Sequence, residues 1–339
     1  MISKEKLDFA VKQVVDNCLG VQKNEKAYLI TDEATKHIGL PIAEKLKEKA
    51  CVLKTFIMED FGKRSDDGKN PLKLPQEIKD AVNEATVGVF ATQAKKGEAQ
   101  SFRIPMIEIV SKSKALRHAH MVGVNDAIME MGMSVDYKIV QEISKKVYDI
   151  VSQSKRIRVT TKLGSDFVAE FNPSWRWKIC DGNLRKPGNW SNLPDGEVFT
   201  CPLNVNGKII IDGVLGDHLI SCGTIEKTPL FLNVVDGRVK EVESNNKEIE
   251  NEVKSYIQLE KNSDRIGEFA IGTNIGLTKL IGNLLQDEKF PGVHIAVGHT
   301  YPNETGADWD CDPHMDMIIQ KTTIEVDGKI IMKEGKFLI

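Results

Sequence analysis

Apolar residues recur at helical spacing in one set of segments over the first half of the chain and form short runs in another. The helical spacing falls at 4–18, 35–49, 74–84, 105–115 and 136–153. The apolar runs, which predict buried strands, fall at 27–32, 51–58 and 87–92, and a fourth strand is predicted at 117–122. This alternation implies parallel strands joined by right-handed crossovers. We therefore expect residues 1–155 to form an α/β domain of Rossmann-like character.

The pattern changes after residue 155 to shorter strands separated by Gly and Asp turns. Hairpins are predicted across 157–171 and 324–331, and further strands at 203–211 and 230–235, with turns at 205–207 and 235–237. Helices are predicted at 247–259 and 276–285. Residues 156–339 are therefore expected to form an α+β domain rich in antiparallel strands.

Length and charge narrow the range of functions. A chain of 339 residues is long for one core, so two domains are expected. The net charge of −3 gives no reason to expect nucleic acid or an anionic membrane as a partner. The chain has no apolar run long enough to cross a bilayer, and its N-terminus lacks the apolar core of a signal peptide.

Two further patterns concern cofactor and compartment. The turn after the first strand, Thr31–Ala34, has no G-x-G-x-x-G, and its acidic side chains would repel a pyrophosphate, so a nucleotide cofactor is not expected. The six cysteines have wide, irregular spacings at 18, 51, 180, 201, 222 and 311. Such spacing favours free thiols in a reducing cytoplasm over disulfides or a zinc knuckle.

The candidate chemistry lies in the second half of the chain. Six metal-type or proton-donating residues occur there in or beside apolar segments: Glu197, Glu268, His294, Tyr301, His314 and Asp316. His314 and Asp316 are two apart, so on a strand they would point to the same face. Two imidazoles and three carboxylates exceed the needs of one ion and suit two adjacent ions that share a carboxylate.

Each of these residues also has an ordinary structural explanation. Glu197 could lie at an exposed strand edge, and Glu268 could pair with Arg265. His294 could be a hydrogen-bonded core histidine, and Tyr301 a packing residue at a strand end. Together these explanations weaken, because several polar residues within apolar strands need a common cause, which a shared metal centre supplies.

With these motifs, the chain resembles the aminopeptidase T-type metallopeptidases, also called the thermophilic metalloprotease family. The matching segments are 192–202 (NLPDGEVFTCP), 267–274 (GEFAIGTN), 287–289 (DEK), 294–298 (HIAVG), Tyr301 and His314-x-Asp316. The resemblance is strong across about 190–320 and looser over the N-terminal domain. It implies a two-metal exopeptidase that cleaves peptides and forms a homodimer.

The resemblance also implies roles for individual residues. The implied metal ligands are Glu197, Glu268, His294, His314 and Asp316. Glu268 is the implied bridging carboxylate and, with Tyr301, belongs to the implied catalytic pair, since a phenol near the metals can hydrogen-bond to an oxyanion. The expected cofactors are two divalent ions, zinc or cobalt, with manganese or magnesium as further candidates.

The segment between Tyr301 and His314 departs from the family pattern. Its spacing of thirteen residues is shorter than the family usually shows, which predicts a remodelled loop facing the substrate. His299 and the acidic run Asp308–Asp312 have no match in the family, and the run is expected to be a solvated loop. Trp309 could line the substrate pocket, the core or a lid.

Two other functions remain open. His294, His314 and Asp316 alone form a 2-His-1-carboxylate set, which usually holds a single Fe(II), and dihydroxypyridine ring-opening dioxygenases are similar to the peptidase family. Such an iron site does not need Glu197 and Glu268, so their presence favours the peptidase. A binding protein with a structural zinc would be expected to use thiolates, and no cysteine has a suitable spacing.

Overall fold

The computed structural model describes residues 2–50 and 52–339. The predictions that Cys51 begins a strand and is a free thiol lie outside the described residues. The chain divides into two compact units. The first contains the chain up to Ile139 and the segment Gly182–Asp195, and the second contains Val140–Asp181 and Gly196–Ile339. Both units are therefore discontinuous in sequence, whereas the pattern predicted a single boundary near residue 155.

The strands, in chain order, are β1 Lys26–Thr31, β2 Val52–Ile57, β3 Val87–Thr92, β4 Arg117–Val122, β5 Arg156–Thr160, β6 Asp166–Glu170, β7 Lys178–Cys180, β8 Trp190–Asn192, β9 Glu197–Thr200, β10 Asn204–Ile211, β11 Leu230–Val235, β12 Arg238–Ser244, β13 Ile266–Gly272, β14 Gly292–Gly298, β15 His314–Ile319, β16 Thr323–Val326, β17 Lys329–Lys333 and β18 Lys336–Phe337. They form three sheets, which with the helices give the mixed α/β architecture that the sequence predicted.

The α-helices are α1 Lys4–Lys12, α2 Lys36–Lys49, α3 Gln76–Glu84, α4 Ile104–Lys112, α5 Asp126–Glu130, α6 Tyr137–Val151, α7 Lys247–Tyr256, α8 Leu284–Asp287 and α9 Pro302–Thr305. Helix α1 continues as a π-helix over Gln13–Cys18, and a second π-helix, Ala99–Arg103, precedes α4. Pro41 lies inside α2, which continues through it. In the described part of the chain, no helix is both long and apolar enough to span a membrane.

The first unit contains a five-stranded sheet with the order β2-β1-β3-β4-β8. All four strand pairs are parallel, as the alternation of strands and helices predicted. Strand β3 is buried throughout, which fits its continuous apolar run. Strand β8 was not predicted, because its three residues lie in a polar segment far from the other strands in sequence.

Asp32, in the turn after β1, is buried and fully hydrogen-bonded. Its carboxylate accepts the Thr35 backbone N–H at 2.8 Å and the Gln93 backbone N–H at 2.7 Å, and it pairs with Arg64. The Arg64 guanidinium also binds Glu98 at 2.6 Å. Burial opposes ionisation of Asp32, but the Thr35 hydroxyl and Arg64 hold its pKa below the usual value. One of the two acidic side chains of this turn, Asp32, therefore binds groups inside the protein.

The second unit contains an eight-stranded sheet, with the order β12-β11-β10-β6-β5-β16-β17-β18, and a five-stranded sheet, with the order β15-β14-β13-β9-β7. Neighbouring strands are antiparallel, and the hairpins predicted at 157–171, 230–237 and 324–331 are confirmed. A continuous core joins apolar side chains from both sheets, including Val159, Ile209, Phe269, Ile295 and Met317.

Two predictions in the second unit are wrong. Residues 276–285 form turns and irregular structure, and only Leu284–Asp287 is helical. Residues 205–207 are not a turn but lie inside β10. Gly207 is needed there because a Cβ atom at this position would lie 2.4 Å from the Asp166 carbonyl oxygen of β6.

The cysteines of the described residues carry no disulfide. Cys201, Cys222 and Cys311 are free thiols, as their irregular spacing predicted. Burial raises the pKa of the Cys311 thiol to about 11, and nearby carboxylates add to this effect. A thiol with a raised pKa is a poor metal ligand at neutral pH.

Candidate metal centre

The five predicted ligands lie on four neighbouring strands of the five-stranded sheet. Glu197 begins β9, Glu268 lies in β13, His294 in β14, and His314 and Asp316 in β15. Their cross-strand registers place all five on the same face, because side chains two residues apart on a strand point the same way. The sheet therefore brings together residues that are more than a hundred positions apart in sequence.

The donor atoms form two groups, each compact enough to hold a metal ion. In the first group, Nε2 of His294 lies 3.7 Å from Oε2 of Glu197 and 3.5 Å from Oε1 of Glu268. In the second group, Nε2 of His314 lies 3.6 Å from Oε2 of Glu268 and 3.2 Å from Oδ1 of Asp316. The chosen donor atoms of each group lie within 4.8 Å of one another.

Glu268 belongs to both groups, and its two oxygens face different imidazoles. It follows a β-bulge at Ile266–Glu268, which shifts the register of β13 against β14. The bulge includes Gly267, where a Cβ atom would lie 2.0 Å from the Gly298 carbonyl oxygen. Only glycine therefore allows the close backbone approach that precedes Glu268.

Every donor lies opposite a residue without a large side chain on a neighbouring strand. Glu197 pairs with Gly272, His294 with Ala270, Glu268 and Asp316 with Ala296, and His314 with Gly298. Directly opposed side chains in an antiparallel sheet have Cβ atoms about 4.5–5.5 Å apart, so their size decides how much space remains between them. These small partners leave room for the donor atoms to converge, although His294 also lies opposite the larger Ile318 of β15.

The electrostatics of the centre are dominated by its carboxylates. Burial disfavours a charged imidazole, yet Glu268 and Glu197 outweigh it and raise the pKa of His294 to about 9. Burial is likewise overcome at His314, where Asp316 and Glu268 raise the pKa to about 10. Burial would raise the pKa of Asp316, but the neighbouring imidazoles lower it to about 2. The cluster thus stabilises positive charge, as a cation site must.

Tyr301 lies beside the second group, with its hydroxyl oxygen 3.5 Å from Nε2 of His314. Its ring packs edge-on against Phe199, His299 and His314. The backbone of Tyr301 is left-handed, with φ 50° and ψ 57°, a region in which aromatic residues are rare and which carries strain. Burial and the surrounding carboxylates hold its pKa well above the usual value, so the phenol keeps its proton.

Lys289 and Glu288 belong to the centre but were not among the predicted site residues. Lys289 is only 4% exposed, and its Nζ lies 2.6 Å from Oε1 of Glu197 and 2.8 Å from Oε1 of Glu288. Burial raises the pKa of Glu288 to about 7, against the lowering effect of Lys289. The signal in the sequence was the charged segment Asp287-Glu288-Lys289 directly before an apolar strand. Its lysine is the residue that could have indicated a further member of the centre, because it is buried.

His299 and the acidic run lie next to the centre rather than in it. Nδ1 of His299 lies 2.8 Å from Oδ1 of Asp310, and the His299 carbonyl lies 3.3 Å from Nδ1 of His314. Asp308, Asp310 and Asp312 are exposed, as predicted for a solvated loop. Trp309 carries the Arg265 guanidinium 4.1 Å above its ring, so Arg265 packs against this loop.

Comparison with known protein families identifies the family of this chain. The family model described as thermophilic metalloprotease (M29) matches residues 136–337, more than half of the chain. The chain belongs to this metallopeptidase family. The match covers all five predicted ligands, Tyr301 and Lys289, which lie in the second unit of this family member. The family resemblance predicted from the sequence motifs is thereby confirmed.

Two solved structures share the fold of this metallopeptidase. AmpT from Thermus thermophilus is 16% identical, with a TM-score of 0.72, and the alignment covers 99% of this chain and 100% of AmpT. The 2,5-dihydroxypyridine dioxygenase from Pseudomonas putida KT2440 is 13% identical, with a TM-score of 0.68, and the alignment covers 100% and 98%. No curated protein sequence matches the chain. At these identities the two structures establish the fold alone.

Proposed function

We propose that this protein is a metal-dependent aminopeptidase that releases N-terminal residues from peptides with the help of two divalent ions. Glu197 and His294 would hold one ion, His314 and Asp316 would hold the other, and Glu268 would bridge them. The observation that carries the proposal is that the two oxygens of Glu268 face different imidazoles, at 3.5 and 3.6 Å. Membership of a metallopeptidase family and the fold shared with AmpT support it.

The residues of the centre fit divalent ions. Oε2 of Glu197 is buried and has no hydrogen-bond partner among the described residues, although a buried carboxylate oxygen normally requires one. This oxygen points into the first donor group, where a cation would satisfy it. Imidazole and carboxylate donors suit zinc, cobalt or manganese. We propose zinc or cobalt as the native ions.

Peptide hydrolysis needs an activated water and stabilisation of the charge that develops on the scissile carbonyl oxygen. When bound, a pair of divalent ions supplies a water that ionises near neutral pH and a Lewis acid for the carbonyl. The chain itself supplies Tyr301, whose neutral phenol can donate a hydrogen bond to the oxyanion. The strained backbone of Tyr301 holds its hydroxyl beside the second donor group.

The alternative function is a ring-cleaving dioxygenase with one Fe(II) held by His294, His314 and Asp316. The fold shared with the dioxygenase is compatible with this alternative. The donor geometry favours the peptidase, because one compact group places His294 with Glu197 and another places His314 with Asp316, and Glu268 belongs to both. An iron triad would need His294, His314 and Asp316 around a single point.

Metal analysis and peptidase assays test the proposal together. Protein purified without added metal should contain or bind two zinc, cobalt or manganese ions per chain and should hydrolyse leucine p-nitroanilide. Glu268→Gln and His314→Ala should abolish hydrolysis while circular dichroism shows an intact fold. The matched controls are Glu252→Gln and His218→Ala, which change an exposed pair of the same unit.

The outcomes separate the functions. Activity retained in both Glu268→Gln and His314→Ala would exclude this centre as the active site. One iron per chain, with oxygen consumption on a dihydroxypyridine, would establish the dioxygenase instead.

We also propose that the protein is a homodimer, as the family resemblance implies, and sedimentation analysis would detect a monomer if that is wrong. A Rossmann-like character for the first unit is likewise a proposal, which rests on its parallel sheet.

A further inference from the structure

Lys289 is a buried cation next to a cluster of proposed metal ligands. We propose that Lys289 is a positioning residue that holds Oε1 of Glu197, so that only Oε2 of this carboxylate can bind a metal ion. The inference rests on the proposed function and extends it, because it explains why Glu197 would bind its metal ion through one oxygen and not through both.

The two oxygens of Glu197 have different surroundings. Oε1 accepts a hydrogen bond from the ammonium group of Lys289 at 2.6 Å. Oε2 is buried, accepts no hydrogen bond from the part of the chain that the structure describes, and lies 3.7 Å from Nε2 of His294. A charge-assisted bond of this kind is strong and directional, so it fixes the rotation of the carboxylate. One oxygen is therefore engaged by protein and the other is left for a cation.

The backbone around Lys289 is itself held firmly. The Lys289 N–H donates to the Gln286 carbonyl at 2.9 Å, and the Lys289 carbonyl accepts from the Asn274 N–H at 3.1 Å, next to the end of β13. Two residues earlier, the buried carboxylate of Asp287 accepts the N–H groups of residues 281–283 at 2.7–3.1 Å. The backbone of Lys289 is thus held in place, as it must be in a residue that positions another side chain.

A single oxygen from Glu197 matters for the chemistry. A catalytic metal must keep a coordination position open for water or substrate. A carboxylate that binds through both oxygens would occupy that position. By holding Oε1, Lys289 would keep Glu197 to one metal bond. Glu288 accepts a second hydrogen bond from Lys289 at 2.8 Å and balances the charge of the buried ammonium.

Lys289 should affect metal binding in two opposite ways, which makes its role measurable. Its positive charge repels a metal ion, so removing the charge alone should tighten binding. Its hydrogen bond orients Glu197, so removing the bond should weaken binding. A variant that removes the bond while keeping the formal charge of the centre separates the two effects. Glu288→Gln combined with Lys289→Met meets this condition, since it removes one negative and one positive charge.

The experiment measures Zn²⁺ affinity by competition with a chromophoric chelator at pH 8, above the pKa of about 7 of Glu288. The Glu288→Gln/Lys289→Met variant should bind Zn²⁺ roughly 10- to 100-fold more weakly than the wild type, the usual effect of losing a residue that orients a ligand. The control is Glu226→Gln/Lys227→Met, an adjacent and exposed Glu–Lys pair in the same unit, which should bind as the wild type does.

A second comparison tests whether Lys289 acts through Glu197. In a Glu197→Ala background, adding Glu288→Gln/Lys289→Met should cause no further loss of affinity, because the oriented ligand is already absent. Lys289→Arg, which keeps a charged donor, should retain more affinity than the double variant and remains informative if the double variant does not fold. Circular dichroism confirms the fold of each protein.

Three results would overturn the inference. The double variant could bind Zn²⁺ as tightly as the wild type or more tightly, which would leave only the charge effect. The loss could be as large in the Glu197→Ala background, which would indicate a general structural role. Both results would leave the proposed aminopeptidase function standing. A wild-type protein that binds no divalent ion would overturn the proposed function and the inference together.

Discussion

His118 and His120, on one face of β4, should make the protein sensitive to mild acid. Both imidazoles are buried. The Tyr28 hydroxyl oxygen lies 2.7 Å from Nδ1 of His118, whose Nε2 lies 3.3 Å from Nδ1 of His120. The His120 ring stacks on Phe90 at 4.8 Å. Protonation of either ring would place a positive charge in a buried environment. It would also turn a ring nitrogen that can accept a hydrogen bond into a donor.

The structure gives the sign and size of the effect. Burial lowers the pKa of His118 to about 3, and burial, His118 and the Arg103 guanidinium lower that of His120 well below the usual value. In the unfolded chain both would titrate near about 6.5. Between these values the unfolded chain binds more protons, so acidification lowers the free energy of unfolding by about 1.4 kcal/mol per pH unit for each histidine. From pH 7 to pH 5 the loss is about 2 kcal/mol each.

Urea denaturation at pH 7, 6 and 5, followed by circular dichroism, measures this loss. His294 and His314 have raised pKa values and act in the opposite sense in metal-free protein, so the informative quantity is a difference between proteins. His118→Gln should lose about 2 kcal/mol less than the wild type between pH 7 and pH 5. The same substitution at exposed His37 measures the effect of losing a solvent-facing imidazole. Equal losses in the wild type and His118→Gln would refute the reasoning.

Three other substitutions test separate features. Tyr301→Phe should lower kcat roughly 100-fold through loss of an oxyanion donor, with metal content unchanged by elemental analysis. Arg64→Met should lower the free energy of unfolding by about 3–5 kcal/mol in urea, because Asp32 would be buried without its cation. Gly267→Ala should lower the melting temperature and weaken metal binding, since its Cβ would meet the Gly298 carbonyl; an unchanged melting temperature would contradict the close approach.

The sequence was most informative where local pattern and environment agree. Strand β3 begins and ends where its apolar run does, because a buried parallel strand needs apolar residues on both faces. The predicted helix at 276–285 is wrong for a local reason. The side chains of Asn274 and Asp287 accept backbone N–H groups of that segment, and Gly282 has a φ of 76°. These contacts compete with helical hydrogen bonds, and apolar spacing does not reveal them.

The candidate centre was predictable by residue type but not by arrangement. Donor residues within apolar strands indicated a metal centre before any geometry was known. Their convergence depends on the strand order β15-β14-β13-β9, which apolar spacing does not specify. The bulge before Glu268 and the left-handed backbone of Tyr301 depend on tertiary contacts as well. Lys289 was missed because a lysine in a charged segment is usually exposed.

The alternation of side chains in the metal-centre sheet separates two kinds of constraint. One face of β13, β14 and β15 carries the donors, small residues and Ile318, while the other carries core side chains such as Phe269, Ile295 and Met317. Substitutions of the donors can therefore alter the chemistry of one face while the core side chains of the opposite face stay unchanged. Such a separation would let one scaffold acquire different reactions through few mutations. The fold that this chain shares with both AmpT and a dioxygenase is consistent with that expectation.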